Sequence, residues 1–199
     1  MAVIGHTHRN IIILFVITRH EMNLKPVTKS ILASVTTFTF VLSLTTSIHN
    51  VMGIQQNQVY SFLTKWGSAG TGDGQFNAVN DVHVWKGFVY VPDYNNNRIQ
   101  KFTSDGKFIT AWGTMGTGDG QFKRPAGIAV DSSNNVFVTD RDNSRIEVFT
   151  SDGKFITKFG NKGSGNGQIE RSEGIDIDPS GIVYISDSVN NNVQKFVPS

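Results

Sequence analysis

One passage is written almost three times along this chain, and its recurrence limits the fold more than any other feature. It reads Trp66-Gly67 to Gly72-Asp73-Gly74-Gln75-Phe76, then Trp112-Gly113 to Gly118-Asp119-Gly120-Gln121-Phe122, then Phe159-Gly160 to Gly165-Asn166-Gly167-Gln168-Ile169. A second anchor keeps the register: Asp93, Asp140 and Asp187 stand 47 residues apart, with Phe102, Phe149 and Phe196 in step behind them. Units of this length are supersecondary pieces that cannot bury their apolar faces alone, so the chain has to stack them.

In the middle copy, residues 127–130, 136–139, 145–149 and 154–159 are short runs rich in β-branched and aromatic side chains. Turn-formers at 131–134, 141–144 and 151–153 separate them. No segment of helical period intervenes, which predicts one antiparallel meander per copy. Repetition predicts an all-β propeller of about three four-stranded blades, a partial ring. The loop Thr103-Ser104-Asp105-Gly106-Lys107 recurs as Thr150-Ser151-Asp152-Gly153-Lys154, where Asp-Gly supplies the positive φ of a tight turn. The third copy reaches Phe196 without a fourth strand, while a segment of fourth-strand type at 61–66 precedes the first full copy.

The pattern Gly-Gln-Phe, Pro-x-Gly-Ile-Ala-Val-Asp, Val-x-Val-x-Asp, Asn-x-Arg-Ile-x-x-Phe, Asp-Gly-Lys-Phe is carried by Gln121-Phe122, 125–131, 136–140, 143–149 and 152–155. It resembles the NHL repeat. The resemblance runs from about residue 60 to 197 and implies a six-bladed ring, of which this chain would supply half. Three completions stay open: two copies joined as a homodimer with strands exchanged at both seams, blades on another chain, or a longer reading frame. The family's roles include secreted sensors, sugar- or peptide-binding modules, RNA-binding domains and a few lyases. Two departures matter: Asn80-Asp81-Val82 replaces Pro-x-Gly-Ile in the first copy, and Asn192 stands where the others carry Arg98 and Arg145.

Upstream, residues 31–48 hold no charge and follow Lys25 and Lys29. A basic start, an apolar stretch and small residues such as Ser43 and Ser47 predict an export signal or membrane anchor at 22–48, with Met22 as the true start. Residues 1–21 are then a mis-annotated or disordered extension, 49–59 a linker, and 60–199 the propeller domain. The membrane is touched only through the N-terminal segment, and the expected location is extracellular or at the cell surface.

Residues 1–50 carry four Lys or Arg against one acid, leaving fourteen basic against fifteen acidic residues in the remainder. A near-neutral domain argues against nucleic acid as a partner. With no cysteine there is no disulfide framework or thiolate metal site. The Gly-rich stretches lack the Gly-Lys-Ser/Thr ending and the helix that phosphate binding needs, so they read as interblade linkers. Asp73 and Asp119 alone do not make a calcium cage. Beyond residue 50 there is one histidine, His83, too few for a metal site or a catalytic triad.

The expectation is a non-catalytic, cofactor-free module that binds a protein, peptide or glycan. Its rivals are a propeller-type lyase or hydrolase and an intracellular scaffold for ubiquitin-ligase or RNA-binding partners. In a meander, the loops after Asp93, Asp140 and Asp187 share a side with the interblade linkers. That places the candidate binding residues there: Tyr94, Arg98, Lys123, Arg124, Arg141, Arg145 and Arg171. The alternative for Asp140 with Arg145 is a pair that holds its own turn.

Overall fold

The computed structural model describes residues 6, 7, 10, 11 and 59–198. The chain divides into two units, Met1–Phe62 and Leu63–Ser199. In the first, His6–Thr7 pairs antiparallel with Asn10–Ile11. The expected signal or anchor at 22–48, and the linker at 49–59 apart from Val59, lie outside the described residues. Among the described residues no helix is long and apolar enough to cross a membrane.

The second unit is a succession of antiparallel meanders in chain order, as the repeat predicts. Blade 1 consists of His83–Trp85, Phe88–Asp93, Arg98–Thr103 and Phe108–Trp112. Blade 2 consists of Pro125–Val130, Val136–Asp140, Arg145–Phe149 and Phe155–Phe159. Blade 3 has Ser172–Ile177, Val183–Asp187 and Asn192–Phe196. Residues 61–66 form no strand, since no neighbour pairs with them among the described residues.

Ahead of each blade the chain makes a short parallel pairing that local pattern does not announce: Ser68–Ala69 with Gln75–Phe76, Thr114–Met115 with Gln121–Phe122, and Asn161–Lys162 with Gln168–Ile169. They explain the Gly-x-Gly-Gln repeat. The side chains of Gln75, Gln121 and Gln168 fold back to accept hydrogen bonds from the N–H groups of Gly72, Gly118 and Gly165 at 3.1, 2.9 and 2.9 Å. A Cβ at those glycines would crowd the glutamine amide. The motif thus closes a linker on itself.

Strand alternation sorts each blade into a leading face and a trailing face. Tyr90 and Ile99 on the trailing face of blade 1 pack with Phe122, Ile128, Val130, Val136, Val138 and Phe149 on the leading side of blade 2. Phe137 and Ile146 on the trailing face of blade 2 pack with Ile169 of the linker and with Ile175, Ile177, Val183, Ile185 and Phe196 of blade 3. Each fully buried side chain of this size contributes about 1.5–3 kcal/mol relative to exposure. The last residue of one blade's fourth strand seats on the next blade: the Trp112 ring lies 6.0 Å from Phe149. A Cβ at Gly153, which has a φ of +90°, would come within 2.7 Å of the Trp112 indole. Trp66 repeats this seat on blade 1, 6.2 Å from Phe102. The first strands of blades 2 and 3 come close at Gly127, where a Cβ would overlap the carbonyl oxygen of Glu173.

Candidate functional site

The loops that follow the second strands do meet the interblade linkers, and a buried aspartate joins them in every unit. Asp93 and Asp140 are fully buried and Asp187 nearly so. Asp93 accepts from the N–H of Asn77 at 2.8 Å, Asp140 from Lys123 at 2.7 Å and Asp187 from Glu170 at 2.7 Å. Asn96, Asn143 and Asn190 each donate to the same carboxylate and to a linker carbonyl, at Gly70, Gly116 and Gly163. These asparagines recur at the spacing of the aspartates, a signal the sequence carried and the candidate set omitted.

Arginine completes two of the three hubs. Arg98 donates from Nε to Asp93 at 2.8 Å and from Nη2 to the carbonyls of Gly72 and Gln75. Arg145 donates to Asp140 at 2.9 Å and to the carbonyls of Thr117, Gly118 and Gln121. Arg145 is buried, and its fork matches a set of fixed carbonyls that an ammonium could not satisfy together. Asn192, at the third position, is exposed. There, burial works to raise the Asp187 carboxyl, but backbone N–H groups of Asn190, Glu170, Arg171 and Val189 outweigh it and hold the group below its ordinary range.

Beside each hub lies a second polar position. In blades 1 and 3 it is glutamine: Gln100 and Gln194 accept from Gly74 and Gly167 at 2.9 Å and donate to the carbonyls of Gln75 and Gln168 at 2.7 and 2.6 Å. In blade 2 it is Glu147, fully buried, which accepts from Gly120 at 3.1 Å. Its other oxygen lies 2.7 Å from Arg145 Nη2 without hydrogen-bond alignment. Burial pushes this carboxyl up to about 7; Asp140 adds to the rise, while Arg145, the Gly120 N–H and Lys158 oppose it.

Outside the hubs, one polar hollow gathers residues from all three blades. It has a volume of about 700 Å³ and is bordered by Asn80, Asp81 and Tyr94 of blade 1 and its leading loop, Ala126 and Arg141 of blade 2, and Glu173 of blade 3. Arg141 donates to the Tyr94 hydroxyl, lies 5.6 Å from the Tyr94 ring and pairs with Glu173 at 3.2 Å. Arg124 lies 5.9 Å from the same ring and pairs with Asp142 at 3.4 Å. The tyrosine is therefore flanked by two guanidinium groups, each matched by a carboxylate.

Of the residues named from sequence, Tyr94, Arg124 and Arg141 come together at or beside this hollow. Arg98 and Arg145 are engaged inside the hubs. Lys123 is half-buried and gives its backbone N–H to Asp140, while Arg171 is exposed and gives its N–H to Asp187 at 3.2 Å. Asp119 forms an ion pair with Lys158 at 2.6 Å. His83 carries a buried Nε2 without a hydrogen-bond partner; burial lowers its pKa against the opposing pull of Asp176 and Asp81. Asn80 and Asp81, marked in the sequence only as a departure from the repeat pattern, and Glu173 border the hollow without having been named as binding residues, because they meet only through the stacking of separate blades.

Residues 122–149 match the family model of the NHL repeat. No curated protein matches the chain. Among solved structures it is similar to a streptogramin B lyase, at 16% identity and a TM-score of 0.46, covering 59% of this chain and 40% of that one. It is similar to an auxiliary nutrient binding protein from Bacteroides thetaiotaomicron, at 17% identity and a TM-score of 0.45, covering 55% and 34%. A virginiamycin B lyase from Staphylococcus aureus is similar at 20% identity and a TM-score of 0.43, covering 61% and 42%. The chain thus spans between 34% and 42% of the length of these structures. The repeat model is matched on the middle unit, and the same aspartate hub and meander are built before and after it, so the described blades make a partial β-propeller that contains an NHL repeat at residues 122–149.

Proposed function

We propose that this chain is an exported module that binds a protein, peptide or glycan at the hollow around Tyr94, Arg141 and Glu173, and performs no chemistry of its own. The observation that carries this reading is the convergence of side chains from three blades on one open polar surface. Its cations are matched: Arg141 with Glu173, and Arg124 with Asp142. A surface of alternating donors and acceptors around an aromatic ring suits a neutral polyhydroxylated or amide-rich ligand. A phosphate backbone calls instead for unmatched positive charge.

The test is a screen of the purified chain on oligosaccharide and peptide arrays, repeated with Tyr94→Ala and Arg141→Ala. Binding that drops at least about tenfold in both variants supports the reading. Binding unchanged in both, or no binding by the native chain, removes it. Export is tested separately by sequencing the N-terminus of material purified from its natural source. A start beyond residue 48, or a chain recovered in the membrane fraction, is expected; an intact N-terminal segment on a chain recovered from cytosol contradicts it.

A further inference from the structure

One interface made inside this chain is present again as two separate, uncovered halves. Within the chain, the trailing face of blade 1 meets the leading side of blade 2. Tyr90 and Ile99 are buried there, and Lys101 reaches across to donate to the carbonyl of Ser151 at 2.8 Å, near the charge of Asp152. The counterparts on the trailing face of blade 3 are Tyr184, Val193 and Lys195, in the same strand register. Lys195 lies 4.9 Å from the Tyr184 ring, as Lys101 lies 5.2 Å from Tyr90. Yet Val193 is 68% exposed where its counterparts Ile99 and Ile146 are fully buried. A shallow hollow of about 400 Å³ marks the spot.

The matching half lies on the leading side of blade 1. Val82 and Val84 are 56% and 62% exposed, whereas their counterparts Ile128 and Val130 are buried under blade 1. The loop that would meet Lys195 is Thr103-Ser104-Asp105-Gly106-Lys107, identical in sequence to the loop that Lys101 meets.

The fourth-strand position agrees. Phe62-Leu63-Thr64-Lys65-Trp66 repeats the pattern of Phe108-Ile109-Thr110-Ala111-Trp112 and Phe155-Ile156-Thr157-Lys158-Phe159. Trp66 occupies on blade 1 the seat that Trp112 occupies on blade 2, with Gly106 under its indole as Gly153 lies under that of Trp112. The residues leading into Trp66 therefore arrive where the fourth strand of a blade in front of blade 1 would run. Phe108 and Phe155 each make an edge contact with the third-strand phenylalanine of their blade at 5.9 Å. Phe62 is 79% exposed.

We propose that the trailing face of blade 3 docks a second copy of this chain through that copy's blade 1, with residues 62–66 of the second copy pairing along Asn192–Phe196 as a fourth strand. Lys195 then meets the carbonyl of the second copy's Ser104 beside its Asp105, and Phe62 meets Phe196. The contact is head to tail, so a pair makes it twice and closes. Trp85 and Lys86, which reach Asn134 across the internal interface, have no counterparts on blade 3; the seam rests on Lys195, the apolar patch and the added strand.

The experiment measures the absolute mass of the full chain in solution for four proteins: native, Lys195→Asp, Asp105→Lys and the double variant. Two chains are expected for the native protein, pairing weakened about tenfold in each single variant, and recovery in the double. A native mass of one chain, or a double variant that pairs no better than either single one, overturns the proposal. Because the chain has no cysteine, Lys195→Cys with Ser104→Cys gives an independent reading with a short bis-maleimide. A covalent dimer is expected, against an internally linked single chain from Lys101→Cys with Ser151→Cys. Linkage in the internal control alone overturns the proposal.

Discussion

Arg145 donates from Nε to Oδ2 of Asp140 at 2.9 Å, and the rest of its guanidinium holds three carbonyls of the linker that enters blade 2. The pair ties the turn after the second strand to a segment more than twenty residues earlier in the chain. Asp140 receives Lys123 and Asn143 as well, so the carboxylate is surrounded by donors.

Removing the arginine leaves that buried carboxylate and three carbonyls short of donors. Arg145→Ala is expected to lose about 3–5 kcal/mol of stability. Arg145→Lys should recover only a minor part of it, since one ammonium cannot span the set. Arg98→Ala should cost less, because the Arg98 side chain is more exposed. Denaturant titrations of the three variants check the order.

Blade 3 provides the converse case. Asp187 sits in its hub without an arginine, and Asn192 at that place is exposed. Asn192→Arg should reach the carbonyls of the linker as its counterparts do and stabilise by about 0.5–2 kcal/mol. A rise in thermal midpoint, absent when Asp187→Asn is combined with it, checks this.

Glu147 makes stability depend on pH in a direction that follows from its environment. Its folded pKa, about 7, lies above the 4.5 of the free side chain, so the folded state binds the extra proton between these values. Its contribution is intact below pH 4.5 and is lost as pH rises through about 7. Full ionisation costs on the order of 3 kcal/mol. Glu147→Gln places the amide found at Gln100 and Gln194, and should flatten the fall in thermal midpoint between pH 5 and 8 while raising the midpoint at pH 8. An unchanged slope would remove Glu147 as its source.

Gly127→Ala tests the contact between the first strands. A methyl group there has to displace the Glu173 backbone, and a loss of about 1–3 kcal/mol is expected. The equivalent change at Gly174, whose Cβ would meet only the Ser186 side chain, should cost less. Thermal melts of the two variants decide it.

The meander was legible because alternation and turn chemistry are local: 136–139 and 145–149 appear as Val136–Asp140 and Arg145–Phe149, and the two Asp-Gly loops turn where their glycines permit. Register was legible because Asp93, Asp140 and Asp187 recur at fixed spacing. The linker carbonyls held by Arg145 were not legible, since a carbonyl leaves no mark in sequence. Glu147 differs from Gln100 and Gln194 at the same place in the repeat but was not singled out, because its meaning depends on burial that residue type does not state. Glu173 reached Arg141 by blade stacking, which no pattern within one repeat encodes.

Amide hydrogen exchange resolved to single residues tests most directly the claim that one repeat unit builds the same buried aspartate hub three times. The N–H groups of Asn77, Lys123 and Glu170, which point at Asp93, Asp140 and Asp187, should exchange as slowly as the central strands although they lie in loops. Exchange at those three positions as fast as at the exposed turn residues Asp105 and Asp152 would contradict the account.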